Sequence, residues 1–201
     1  MQTKHDDTDL DFQTARELGD NFLSIGDIEK AEKYFEKAAS LDADNAVPYV
    51  GIGTIALLKN LPQEAKLAFR VACRLDPKCS QAYEGLGKVA QYNENHETAI
   101  EMYLKCLELD ANNLTALLGL FQASSEMGSF AKIIHYLKIY LDMHPNDIPV
   151  MFSLATLYIK DNQYENSKNM LLKILAICPE NKDAQNLLEE VQQYLAYPVS
   201  I

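Results

Sequence analysis

Gly26-Asp27-Ile28-Glu29-Lys30-Ala31-Glu32-Lys33-Tyr34-Phe35, closing shortly afterwards on Leu41-Asp42, returns along the chain at a constant step. Thirty-four residues on, Ala31 becomes Ala65 and Phe35 becomes Phe69. The next step gives Ala99 and Tyr103, and two more give Ile133 with Leu137 and Ser167 with Leu171. Leu41-Asp42 is followed by Leu75-Asp76 and Leu109-Asp110. Upstream, Leu18-Gly19, Ile52-Gly53 and Leu86-Gly87 keep the same spacing, and Pro77, Pro145 and Pro179 share one phase. Five units then run without a gap: 12–45, 46–79, 80–113, 114–147 and 148–181. A fixed period of this length is the mark of a repeat architecture, in which each unit buries its apolar face on its neighbours.

Each unit reads as two helices. Tyr49, Ile52, Gly53 and Ala56 recur at helical spacing, the chain breaks at Lys59-Asn60-Leu61-Pro62, and Ala65, Phe69, Ala72 and Cys73 recur again. Glycine and proline test this independently. All eight glycines fall on three phases: 19, 53 and 87; 51, 85 and 119; 26 and 128. Small residues are needed where helix axes come closest, hence glycine at one phase and Ala31, Ala65 and Ala99 at another, with the aromatics at 35, 69 and 103 filling the wider gaps. Gly26 and Gly128 predict a left-handed turn between the two helices. The prolines at 48, 62, 77, 145, 149 and 179 all lie at helix starts or turns. The units end on Asn45, Cys79, Asn113, Asp147 and Asn181, and all but the cysteine are good N-caps.

Composition narrows the function. The 201 residues are 48% hydrophobic and 23% charged, with a net charge of −11. That is enough apolar matter for a buried core, and the negative field argues against nucleic acid and anionic lipid as partners. The longest charge-free apolar stretches, Ala46–Leu58 and Ile148–Ile159, run about a dozen residues, short of the roughly 20 a spanning helix needs. Met1-Gln2-Thr3-Lys4-His5-Asp6-Asp7 has no apolar core of a secretory signal, so a cytoplasmic location is expected. Cys73, Cys79, Cys106 and Cys178 form no CxxC pair. Their even number permits two disulfides, whereas a reducing compartment predicts small packing residues.

Leu-Gly in a first helix, then Ala, an aromatic, a small residue and Leu-Asp-Pro resembles the tetratricopeptide repeat, most closely at Gly26–Phe35 and at Arg74-Leu75-Asp76-Pro77. The resemblance implies an all-α, right-handed solenoid of five helical hairpins. Residues 182–197 follow as a capping helix, with Ala184, Leu187, Leu188, Val191 and Leu195 on one face. Residues 1–11 read as a disordered acidic leader, and 198–201 as a tail either frayed or docked. There are departures. Ala15, Tyr49, Tyr83, Leu117 and Met151 stand where the family often has tryptophan, and Ile133, Ser167, Tyr140 and Ile174 replace its small residues in units four and five. Looser or wider hairpins are expected there.

The resemblance further implies that first helices line a concave groove through the second, fifth, ninth and twelfth residue of each unit. Candidate peptide-contacting residues are Arg16, Asp20, Val50, Thr54, Leu57, Glu84, Lys88, Gln91, Leu118, Gln122, Phe152, Thr156 and Ile159. The first helices of units two and five are apolar nearly all round, so Val50, Leu57, Phe152 and Ile159 lack obvious cover, and an uncovered apolar strip marks a binding site. The expected ligand is a peptide or helical segment of another protein with apolar anchors. Four such anchors contribute on the order of 6–10 kcal/mol gross, against roughly 4–15 kcal/mol for association, which predicts reversible, micromolar binding. The family's carboxylate clamp of recurring Lys and Asn is not matched, because Arg16 and Lys88 each stand near an acid.

His5, His96, His135 and His144 lie in no catalytic or metal-binding spacing, and no HExxH, GxSxG or phosphate-cradling glycine loop occurs. No catalytic residue, metal or cofactor is expected. The predicted role is a non-catalytic adaptor or chaperone-like scaffold. The alternatives are a self-associating scaffold, through an outer patch of His135, Tyr136 and Ile139, and an accessory subunit of a larger assembly. A monomer is slightly favoured.

Overall fold

The computed structural model describes residues 10–128 and 130–196. The acidic leader before Leu10, Tyr197 at the end of the cap and the tail 198–201 lie outside the described residues. Among those described, the chain is all-α, with eleven helices that keep the period. The first helices of the hairpins are α1 (Phe12–Ser24), α3 (Ala46–Leu58), α5 (Ser80–Tyr92), α7 (Leu114–Met127) and α9 (Ile148–Lys160), and α11 (Lys182–Ala196) begins one step further on. The second helices are α2 (Ile28–Leu41), α4 (Pro62–Leu75), α6 (His96–Leu109), α8 (Ala131–Met143) and α10 (Tyr164–Ile177).

Capping explains why the first helices begin where they do. Asp11, Asn45, Asn113, Asp147 and Asn181 each accept a backbone N–H of the first turn that follows, from Thr14, Val47, Ala116, Val150 and Ala184 respectively. Such caps satisfy donors the helix itself leaves orphaned. Cys79 holds the corresponding place before α5 and makes no side-chain cap bond. Asp27 and Asn95 cap α2 and α6 in the same way, from Lys30 and Thr98.

The turn inside each hairpin has its own rule. Gly26 and Gly128 have φ of +79° and +63°, and Asn60, Glu94 and Asn162, one or more periods away, have +61°, +56° and +56°. All five hairpins therefore reverse through one left-handed residue. Glycine adopts it without penalty, and asparagine tolerates it. Glu94 does neither. Glu94→Gly is expected to raise the unfolding free energy by about 0.5–1 kcal/mol, the relief of left-handed strain less the entropy glycine adds to the unfolded chain. A higher urea midpoint at unchanged slope checks it.

The chain divides into two compact units, Met1–Gly119 and Leu120–Ile201. In the first, each helix packs on the next from α1 to α6, and α3 also touches both α1 and α5. The core repeats one motif: an aromatic of a second helix clamped between two glycines of successive first helices. Phe35 lies between Gly19 and Gly51, where a methyl group would stand 2.9 and 2.6 Å from its ring. Phe69 lies between Gly53 and Gly85, and Tyr103 between Gly87 and Gly119. The three rings are each only 1% exposed. Ala31, Ala65 and Ala99 are fully buried beside them.

In the second unit α8 packs on α9, α9 on α10 and α10 on α11. The clamp changes here. Phe121, Ser153 and Ala155 occupy the glycine phases, and Leu137 and Leu171 occupy the aromatic phase. Bulk has moved from the second helix to the first. The larger residues expected to widen these hairpins, Ile133, Tyr140 and Ile174, are all buried. Tyr140 Oη donates to Asp147 Oδ2 at 3.1 Å, whereas Ser167 Oγ is buried without a partner. Ala184 and Val191 of α11 join Met151, Leu171 and Ile174 in one core, flanked by Leu187, Leu188 and Leu195.

Candidate functional site: the first-helix faces

α1, α3 and α5 lie side by side, so their equivalent positions form one surface of the first unit. Arg16 and Asp20 come from α1, Val50, Thr54 and Leu57 from α3, and Glu84, Lys88 and Gln91 from α5. Leu118 stands near the end of this unit. Val50 and Leu57 are half-buried, packed on Phe69, Val89 and Ala56. They are neither shielded nor free. The two exposed apolar positions are Val47 at 37% and Leu118 at 57%.

The polar members of this surface are engaged with the repeats themselves. Arg16 pairs with Asp20 at 3.0 Å, and burial pushes the Asp20 carboxyl above its ordinary range despite that cation. Lys88 pairs with Glu84, whose other oxygen accepts from Asn113 Nδ2 at 2.7 Å. Gln91 Oε1 accepts from Tyr103 Oη at 2.7 Å. Thr54 Oγ1 donates to the Val50 carbonyl at 2.9 Å. Each cation is thus committed to an acid one helical turn away, an arrangement worth little to stability but sufficient to disfavour a second carboxylate. The links of Asn113 to Glu84 and of Tyr103 to Gln91 span 29 and 12 residues. No local pattern announces them.

In the second unit, Phe152 and Ile159 of α9 are half-buried against the Met151–Leu171 core, and Thr156 Oγ1 donates to the Phe152 carbonyl at 3.0 Å. Gln122 of α7 is exposed. On α8, His135 is exposed while Tyr136 and Ile139 are half-buried, and the His135 and Tyr136 rings meet edge-on at 5.3 Å.

The groups capable of chemistry are muted. The four cysteines are free. Burial pushes the Cys73 thiol up to about 11 and that of Cys106 up to about 12, so both are protonated, poorly nucleophilic thiols at neutral pH. Among the described residues, no three His, Cys, Asp or Glu side chains gather as a metal site, and no helix is long and apolar enough to cross a membrane. His96 is half-buried at the start of α6, its Nδ1 without a partner.

What the fold and these faces define is a stack of helical hairpins that presents side chains from parallel first helices. The sequence pattern of the tetratricopeptide repeat matches residues 17–45, 80–113 and 148–181, and the chain carries tetratricopeptide repeats. A peroxisomal targeting signal receptor of Komagataella phaffii is 47% identical over 57 residues, 28% of this chain and 10% of the receptor. The human mitochondrial import receptor subunit TOM70 is 34% identical over 82 residues, 40% of this chain and 13% of the subunit. The chain therefore spans about a tenth of the curated relatives it matches. Among solved structures, YrrB, a TPR protein described as having an unusual peptide-binding site, aligns at a TM-score of 0.65 and 21% identity, covering 89% of this chain and 92% of YrrB. That likeness is one of fold.

Proposed function

We propose that the protein is a non-catalytic adaptor that holds a peptide or helical segment of a partner protein on its first-helix faces, in a cytoplasmic setting. The observation that carries this reading is the surface of α1, α3 and α5: half-buried Val50 and Leu57 flanked by polar side chains already paired within the repeats. An apolar seat with a satisfied polar rim selects apolar anchors and leaves no unpaired cation to attract an acidic chain terminus. The stretches shared with a peroxisomal targeting signal receptor and a mitochondrial import receptor subunit support this reading.

Leu118 separates binding from folding. At 57% exposure it contributes little to the core, so Leu118→Asp is expected to abolish partner capture in a pull-down while leaving the thermal midpoint within error of wild type. Leu57→Asp is expected to lose capture and stability together, because Leu57 packs on the Phe69 cluster. Undiminished capture by Leu118→Asp would remove the first-helix face as the binding surface.

A further inference from the structure

The opposite side of the first unit carries a cleft that the first-helix faces do not explain. It lies between α4 and α6, with α5 as its floor, and encloses about 390 Å3, within the range of ordinary ligand sites. Leu86, Val89 and Met102 supply the apolar part. Lys66 and Arg70 stand on one wall, one helical turn apart on α4. No carboxylate lines the cleft, and neither cation has an acidic partner among the described residues. Asn95 Oδ1 is occupied by the Thr98 N–H, which leaves its amide N–H groups to donate. In a chain with 18 cationic and 29 acidic residues, an acid-free wall of two unpaired cations stands out against the surrounding field.

The second unit shows what part of this is architecture. A cleft of about 430 Å3 between α8 and α10 is lined by Lys138, Leu154, Asn166 and Met170, two periods after Arg70, Leu86, Thr98 and Met102. Adjacent second helices therefore leave such a cleft by geometry alone. The second cleft also holds two cations, Lys138 and Lys173, but it includes Asp142, and Tyr158 fills the place of Ala90. The lack of any acid in its lining sets the α4–α6 cleft apart.

We propose that the α4–α6 cleft binds an acidic peptide segment of a partner protein, with a carboxylate on Lys66 and Arg70 and a neighbouring apolar side chain on Leu86, Val89 and Met102. Arg70 supplies a planar fork matched to a carboxylate and Lys66 a mobile point charge. The site is independent of the first-helix face, and the two are separable by mutation. The probe is a fluorescein-labelled hexapeptide, Gly-Glu-Leu-Glu-Leu-Gly, followed by fluorescence anisotropy at low and near-physiological salt. Wild type is expected to bind it reversibly and more weakly as salt rises. Lys66→Glu/Arg70→Glu is expected to bind about tenfold less tightly, the loss of two solvent-facing charge-assisted contacts. Both positions are exposed, so circular dichroism should show an intact fold. The glutamine version of the peptide is expected to bind wild type up to about tenfold less tightly, through loss of the same contacts, and Leu118→Asp to bind the acidic peptide as wild type does. Absence of binding to wild type, equal binding by the charge-reversed protein or the glutamine peptide, or loss of binding in Leu118→Asp would each overturn the proposal.

Discussion

Phe69→Ala is expected to cost about 3–5 kcal/mol of unfolding free energy, the usual range for emptying the site of a fully buried ring. Two features place it at the upper end. The ring is 1% exposed and bears on Gly53 and Gly85, residues with no side chain to lean into the void. The cavity would also lie at a junction between hairpins, where α3, α4 and α5 meet. In a repeat array, stability is the sum of weak intrinsic terms and strong neighbour terms, so a lost junction is not offset from within either hairpin. Urea denaturation followed by helical circular dichroism measures the effect. A loss under about 1 kcal/mol would show that the glycine–aromatic clamp does not hold the hairpins together.

The period made the fold readable before any coordinate. Gly51, Gly85 and Gly119 signalled close approach because three glycines on one helical phase have no other physical use, and Asn45, Asn113, Asp147 and Asn181 marked helix starts because a cap is a local, one-turn interaction. The left-handed turn was half legible: Gly26 and Gly128 announce it, but Glu94 at the same phase conceals it, since the backbone there obeys its neighbours and not its own preference. The candidate site was less legible. Sequence placed Val50 and Leu57 on a first-helix face, yet their partial cover comes from Val89 and Phe69, one helix or more away, and cover of that kind has no local sign. The pairing of Gln91 with Tyr103 was hidden for the same reason. The α4–α6 cleft escaped entirely, because Lys66 and Arg70 look like ordinary solvated cations until the gap beside them is known.

The second unit suggests how the clamp tolerates change, and that yields the other large effect. Gly85→Ala places a methyl group against the Phe69 ring, closer than the 2.8 Å approach at Gly53. The ring is enclosed on both faces, so it cannot swing aside, and the helices must separate. The expected cost is about 1–3 kcal/mol, typical of overpacking a dense core. The chain itself shows the compensation. Where the glycine phases carry Ser153 and Ala155, the aromatic phase carries Leu137 and Leu171. Phe69→Leu should therefore be destabilising in the wild type and less so in Gly85→Ala, giving a favourable coupling between the two sites in a double-mutant cycle. Additive costs would mean that the methyl group is absorbed by backbone movement at α5 and that the pairing of small with large across hairpins is not a steric rule. Coupling of about 1 kcal/mol or more would establish that rule as the reason glycine and aromatic keep step through the first unit and change together in the second.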